Sequence, residues 1–294
     1  MSVYSIKDLE NITGVRAHTI RIWEQRHGLL SPERTPTNIR VYSDKELRKL
    51  LSIVLLNKNG FKVSKLAKLS DKEITELVLQ LSEIQDSSIE NHIENLKLIM
   101  VDMDEAKFEK LFNHLVLQFG FEEAVINIVI PFFKRLFHLW QTDSVTIAQL
   151  NFIASLHKQK FYVAIDGILP PKSPKAKKII LFLPKTDWLD IGLIFCNYLA
   201  KKRGYQTLYL GASFPVDELA YILQKEPDCD LLSVATSSQI DLTAYFSKVL
   251  DICTENQRLM ITGNQCNTIK IKDSRLILNE DYGVFKNFLG NCES

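Results

Sequence analysis

Ile20-Arg21-Ile22-Trp23-Glu24-Gln25-Arg26-His27-Gly28-Leu29-Leu30-Ser31-Pro32-Glu33-Arg34-Thr35, continued by Arg40-Val41-Tyr42-Ser43, is the stretch on which the reading of this chain turns. Its first part has helical period. Val15, Ile20 and Trp23 are apolar, Arg16, His18, Thr19, Arg21 and Arg26 are polar or cationic, and the pattern stops before Gly28. Upstream, Ser5 caps a first helix, Asp8 stands at its third position, and Gly14 ends it after Thr13. Two short helices divided by a glycine turn form a helix-turn-helix, whose second helix enters the DNA major groove with its outward side chains on base edges and phosphates. The proline-bearing segment that follows suits a short β-wing, from which Arg34 and Arg40 reach toward the DNA backbone and the Tyr42 hydroxyl toward a phosphate.

Beyond the wing, Ser43 and Glu46 form a capping box, and Leu47, Leu50, Leu51, Val54 and Leu55 share one helical face. A second cap, Ser70 with Glu73, opens a run of helical patterns over 71–83, 88–98, 104–119, 122–139 and 145–165. These imply a helical bundle, with Pro131 as a kink in its fourth helix. The prolines of 170–174 mark a linker. After it, apolar strand patterns alternate with helical ones, beginning with Ile179-Ile180-Leu181-Phe182, and predict a doubly wound parallel sheet. The expected fold class is multidomain α and α/β: a winged helix-turn-helix over 1–75, a helical bundle over 76–169 and a Rossmann-like doubly wound parallel sheet over 176–294.

Composition, with 46% hydrophobic and 24% charged residues, is that of an ordinary globular protein and excludes collagen-like or wholly disordered classes. The net charge of +1 hides a division, because residues 1–75 hold 14 Lys and Arg against 8 Asp and Glu. A basic N-terminal module suits a polyanionic partner, since cationic contacts to phosphate supply most sequence-independent DNA affinity. Cys196, Cys229, Cys253, Cys266 and Cys292 include no C-x-x-C pair, so neither a disulfide framework nor a metal site is expected. There is no G-x-G-x-x-G, P-loop, nucleophile elbow or H-E-x-x-H, which speaks against an enzyme. No apolar run approaches a membrane span and the first ten residues have no signal core, so the expected setting is cytoplasmic with no membrane partner.

The opening stretch resembles the winged-helix domain of the MerR family, and its Trp23-Glu24 pair resembles the CarH/LitR-like branch that carries a cobalamin-binding-type domain. The resemblance implies that Arg16, His18, Thr19, Arg21, Trp23, Arg26, Arg34, Arg40 and Tyr42 face DNA. The family usually has glycine where Thr37 or Asn38 stands, and Asn tolerates the positive φ needed there. The last third resembles the cobalamin-binding domain of the same branch, but its Asp-x-His-x-x-Gly frame reads Asp187-Trp188-Leu189-Asp190-Ile191-Gly192. Leucine, which has no lone pair, stands where the family has a cobalt-ligating histidine. In the cap, counting nine residues past Trp140 puts Leu150 and Asn151 where relatives have Glu-His, and the Gly-Gly tail motif reads Gly263-Asn264. Ser237 and Gly263 remain as candidate tail contacts. The expectation is therefore a repressor of double-stranded operator DNA with no cofactor. Its degenerate cobalamin domain would serve homo-oligomerisation (dimer or higher), a protein partner or another small-molecule effector. The alternative is genuine cobalamin dependence, with the cofactor bound base-on through its own dimethylbenzimidazole.

Overall fold

The structure, a computed structural model, describes residues 3–83, 88–171, 176–184, 189–236 and 240–283. They form two compact units, 1–156 and 157–294, so the helix-turn-helix and the bundle share one unit.

The first unit starts from its caps. Ser5 and Asp8 make a reciprocal capping box at helix α1 (Ile6–Thr13), and Gly14 ends it at φ 73°. Helix α2 (Ala17–His27) ends on Gly28 at φ 59°, where the amide of Gly28 bonds to the carbonyl of Glu24. Both glycines take the left-handed conformation that a C-terminal cap demands. The wing is three-stranded, β1 (Val3–Tyr4), β3 (Arg40–Ser43) and β2 (Glu33–Arg34) in that order, all antiparallel. A two-residue β1 is too short to leave an alternation in sequence, and it was not expected.

Helix α3 (Asp44–Lys58) opens on the Ser43–Glu46 capping box and buries Leu47, Leu50, Leu51 and Val54. A one-turn helix α4 (Val63–Leu66) precedes α5 (Asp71–Glu83), and the bundle continues with α6 (Ile89–Asp102) and α7 (Glu105–Phe119). A short α8 (Phe121–Ala124) then passes through a π turn at Val125–Val129 into α9 (Ile130–Gln141). Pro131 is the second residue of α9, one residue past this turn. A proline lacks the N–H that an α-helix interior needs, and the widened turn just before it is where the helix accommodates that loss. Helix α10 (Ile147–Asp166) closes the helical series.

The second unit holds a five-stranded parallel sheet in the order β5-β4-β6-β7-β8: β4 (Lys178–Phe182), β5 (Gln206–Gly211), β6 (Asp230–Val234), β7 (Leu259–Thr262) and β8 (Leu276–Asn279). Helix α11 (Ile191–Lys202) follows β4, while α12 (Val216–Lys225) and α13 (Leu242–Ile252) follow β5 and β6. Leu219, Leu223, Phe246 and Val249 of the last two helices pack on Ile180, Phe182, Leu231 and Ile261. This is the doubly wound class. Residues 172–175 of the linker expected at 170–175, together with Asp187, Trp188, Ser237 and most of the last helical pattern, fall outside the described residues. Among the described residues the cysteines form no disulfide, and burial pushes the Cys196 thiol up and that of Cys229 to about 11, so these two act as apolar packing groups.

One ion cluster ties the strands at the opposite end of the sheet from the ligand edge. Asp230 accepts from Arg258 Nη2 at 2.7 Å and pairs with Lys177 Nζ at 2.7 Å. Burial alone would raise this carboxyl, but Arg258 and Lys177 together hold it below the usual carboxylate range. A depressed carboxylate stabilises the fold above its ordinary pKa and loses that contribution as pH falls through the folded value. Urea melts of the full chain should therefore show Asp230→Asn less stable than the parent at neutral pH, with the gap narrowing below pH 4.

Candidate functional site

Helix α2 is amphipathic across its short axis. Ile20 is fully buried, and positions three, four and seven beyond it (Trp23, Glu24 and His27) are half-buried on the same face. The opposite face carries His18, Arg21 and Gln25 at helical spacing, all exposed, with exposed Arg16 at its start and Arg26 near its end. Thr19 is half-buried. Four of the nine residues expected at DNA therefore lie exposed on or at the start of this one helix.

The wing is set by its turn. Thr35 N–H donates to the Ile39 carbonyl and Asn38 N–H to the Thr35 carbonyl, with Asn38 at φ 63°. Asparagine thus takes a left-handed position at the wing tip, as expected, and its side-chain oxygen accepts from Arg34 Nη1 at 2.7 Å. Arg34 is exposed, directly across the ladder from Arg40.

Glu24 joins helix to wing. Its carboxylate pairs with Arg40 Nε at 3.0 Å and accepts from the Tyr42 hydroxyl at 3.2 Å. Tyr42 is only 1% exposed, and burial, reinforced by Glu24, pushes its phenol up to about 12. Its hydroxyl, expected at a phosphate, is committed inside the domain, where it positions Glu24. Arg40 likewise has one guanidinium edge engaged. This brace was not foreseen: Glu24 was visible only as half of a Trp-Glu pair, and its partners lie 16 and 18 residues downstream. Glu24→Ala strands a buried hydroxyl and is expected to cost on the order of 1–2 kcal/mol in urea denaturation of the full chain.

The first unit also locks α1 to the bundle. Lys97 of α6 donates to the Ile12 carbonyl at 3.1 Å, at the negative end of α1, and pairs with Glu94 at 3.3 Å. Lys58 of α3 reaches Glu94 at 2.8 Å, and Asn59 and Asn91 exchange amide hydrogen bonds. At the other end of α1, Asn11 donates to Ser144, which donates to Asp8.

The residues expected at a corrin divide between the units. In the first, Trp140 is half-buried against Phe137, Leu150 is buried and Asn151 is exposed. In the second, Leu189 is 6% exposed and Gly192 opens α11 at the carboxyl edge of the sheet, the usual ligand side of this fold. Gly263 needs to be glycine for a backbone reason: φ is 106°, and a Cβ there would lie 2.5 Å from the Ala235 carbonyl oxygen. Beside Leu189, Asp190 pairs with Lys158 at 2.5 Å and accepts from the Tyr209 hydroxyl at 3.4 Å. Among the described residues no cluster of His, Cys, Asp or Glu is arranged to hold a metal ion. The hydrocarbon side chain of Leu189 therefore offers cobalt no ligand from the α/β unit.

Residues 4–73 match the MerR HTH family regulatory protein model and residues 92–165 the B12 binding domain model. The chain is 22% identical over 240 residues to the HTH-type transcriptional repressor CarH of Myxococcus xanthus, covering 80% of this chain and 79% of that protein. It is 22% identical over 231 residues to the repressor CarA of the same organism, covering 78% and 75%. The HTH-type regulator MlrA of Escherichia coli K12 is 32% identical over 73 residues, 25% of this chain and 30% of MlrA. In fold, the chain resembles the monomethylamine corrinoid protein of Methanosarcina barkeri, with TM-score 0.51, 14% identity, and coverage of 68% and 98%. The expectation of no cofactor is corrected by the B12-binding match: the helices from 92 to 165 belong to a domain type defined by that ligand, and cobalamin is the candidate cofactor despite Leu189. These relatives are named as transcriptional repressors and regulators. The chain therefore carries a MerR-type helix-turn-helix domain followed by a B12-binding-type domain, and it is homologous along most of its length to two transcriptional repressors.

Proposed function

We propose that the chain is a repressor that docks α2 in the major groove of its operator. Arg21 and His18 would face base edges, and Arg16, Thr19, Arg26, Arg34 and Arg40 would face the backbone, with Trp23 and Tyr42 supporting them. The observation that carries this reading is the exposed cationic face of α2, held in register with the wing by Glu24. The bundle and the α/β unit would form the regulatory part and the surface for self-association in the cytoplasm. Among the described residues no single helix is long and apolar enough to cross a membrane.

Cobalamin is the ligand this part would receive. With hydrocarbon at Leu189, the lower nitrogen would have to come from the cofactor's own dimethylbenzimidazole. In vitro transcription from the chain's own promoter tests the reading, with hydroxocobalamin present or absent. Protein alone should lower transcript yield, and hydroxocobalamin should change that yield while the protein retains a corrin absorbance after desalting. Unchanged or increased transcription with protein alone would remove the repressor reading, and loss of the corrin band on desalting would remove cobalamin as the regulating ligand.

A further inference from the structure

We propose that the free edge of β5 pairs antiparallel with β5 of a second copy of this chain, about a two-fold axis beside Leu208, and so joins two five-stranded sheets into one. Self-association of the α/β unit, the reading on which this rests, thereby gains a surface and a register.

β5 lies at the end of the sheet and is laddered to β4 on one side. Exposed edges recruit other strands through their unpaired amides and carbonyls, and proteins usually blunt them with charges, prolines, bulges or short length. β5 is poorly blunted. It reads Gln206-Thr207-Leu208-Tyr209-Leu210-Gly211, without charge or proline, and its six residues make it the longest strand described in the sheet. Its register shift against β4 falls past Tyr209, beyond the residues that pair here.

The backbone sets the register. Gln206 N–H donates to the Lys177 carbonyl, so the backbone groups of Gln206 face β4. Alternation along the ladder turns those of Leu208 the same way and leaves the amides and carbonyls of Thr207 and Tyr209 pointing outward. Among the described residues none of these outward groups has a partner. Two antiparallel copies satisfy them all, because Thr207 of each exchanges both bonds with Tyr209 of the other. Leu208 then stands opposite Leu208 as a non-hydrogen-bonded pair, with Cα atoms about 4.5 Å apart and side chains in contact. That side chain is 41% exposed in the single chain. Charge fits the same axis. Helix α12 opens with exposed Asp217 and Glu218, which have no ion partner among the described residues, and closes with exposed Lys225. An axis that reverses β5 also reverses α12, so the acidic start of each helix comes toward the cationic end of the other. An unrelated strand could satisfy the edge, but only a second copy supplies both the leucine pair and the reversed charges.

Sedimentation velocity of full-length parent and variants over a concentration series tests the interface. Leu208→Lys sets two ammonium groups face to face in the assembly alone, so it should weaken association by about tenfold or more and leave the Tm of the dilute protein unmoved. Lys225→Glu should weaken association as well, and adding Asp217→Lys and Glu218→Lys to it should restore the parent value. Leu208→Cys oxidised with copper phenanthroline should form a chain-to-chain disulfide, since the paired Cα atoms lie within disulfide reach, while parent oxidised alongside should not. A parent that associates while Leu208→Lys associates equally well, or while Leu208→Cys gives no cross-link beyond the parent's, overturns pairing through β5 and leaves self-association to another surface. A parent that is monomeric at every concentration overturns the self-association reading and this interface with it.

Discussion

Full-length protein carrying Arg21→Ala should bind its promoter DNA roughly 5- to 150-fold more weakly than the parent, the equivalent of about 1–3 kcal/mol for losing a side chain that reads a base. Arg21 stands at the centre of the exposed face of α2, one turn from His18 and one from Gln25, and its removal disturbs no buried contact. Lys72→Ala is the matched control. Lys72 lies on α5, outside the helix-turn-helix, and its ion pair with Glu76 is a long 4.0 Å surface contact, so its loss should leave affinity almost unchanged. Gel-shift titrations of both variants at one salt concentration check the difference. Equal affinity for Arg21→Ala and parent would mean that α2 does not read DNA.

A larger effect on stability is expected at the join between the helix-turn-helix and the bundle. Glu94 is 3% exposed and Lys97 9% by side chain, with the Ile12 carbonyl as the further acceptor for Lys97. Glu94→Leu leaves a buried ammonium without its counter-charge, which costs on the order of 3–5 kcal/mol at neutral pH. Burial already lowers the Lys97 pKa from 10.5, with Glu94 opposing that shift. Without Glu94 the folded pKa falls further. Between that value and 10.5 the unfolded chain binds more protons than the folded one, so stability of the variant should recover as pH rises through the window. The double variant Glu94→Leu with Lys97→Leu should regain most of the loss even at neutral pH. Urea melts of the three proteins at two pH values test this, and a double variant as unstable as the single one would contradict it.

Much of this architecture was legible because it is written in local chemistry. Ser5 with Asp8 and Ser43 with Glu46 cap their helices, Gly14 and Gly28 end them, and Asn38 takes the positive φ at the wing tip, all within four residues of the feature they set. The alternation of strands and helices after residue 176 likewise needs only hydrophobic period. What escaped depends on groups far apart in the chain. The charges of α6 have the spacing of a solvated face, yet Asn91 through Val101 are all buried because the helix is enclosed by α3, α7 and α9. Tyr42 looked like a phosphate contact because a tyrosine beside arginines has no local mark of burial. Leu189 was read as abolishing the cofactor, but one ligand position does not decide the identity of a domain whose helical half matches the B12-binding type.

If residues 4–73 place a cationic helix and wing on DNA, binding must depend steeply on salt. The association constant of the full-length protein for its own promoter fragment should fall along a straight line of log K against log salt, with a slope near −0.9 for each phosphate contacted, and Arg34→Ala should reduce that slope by about one unit. Absence of binding, or binding whose strength does not change with salt, would contradict the account.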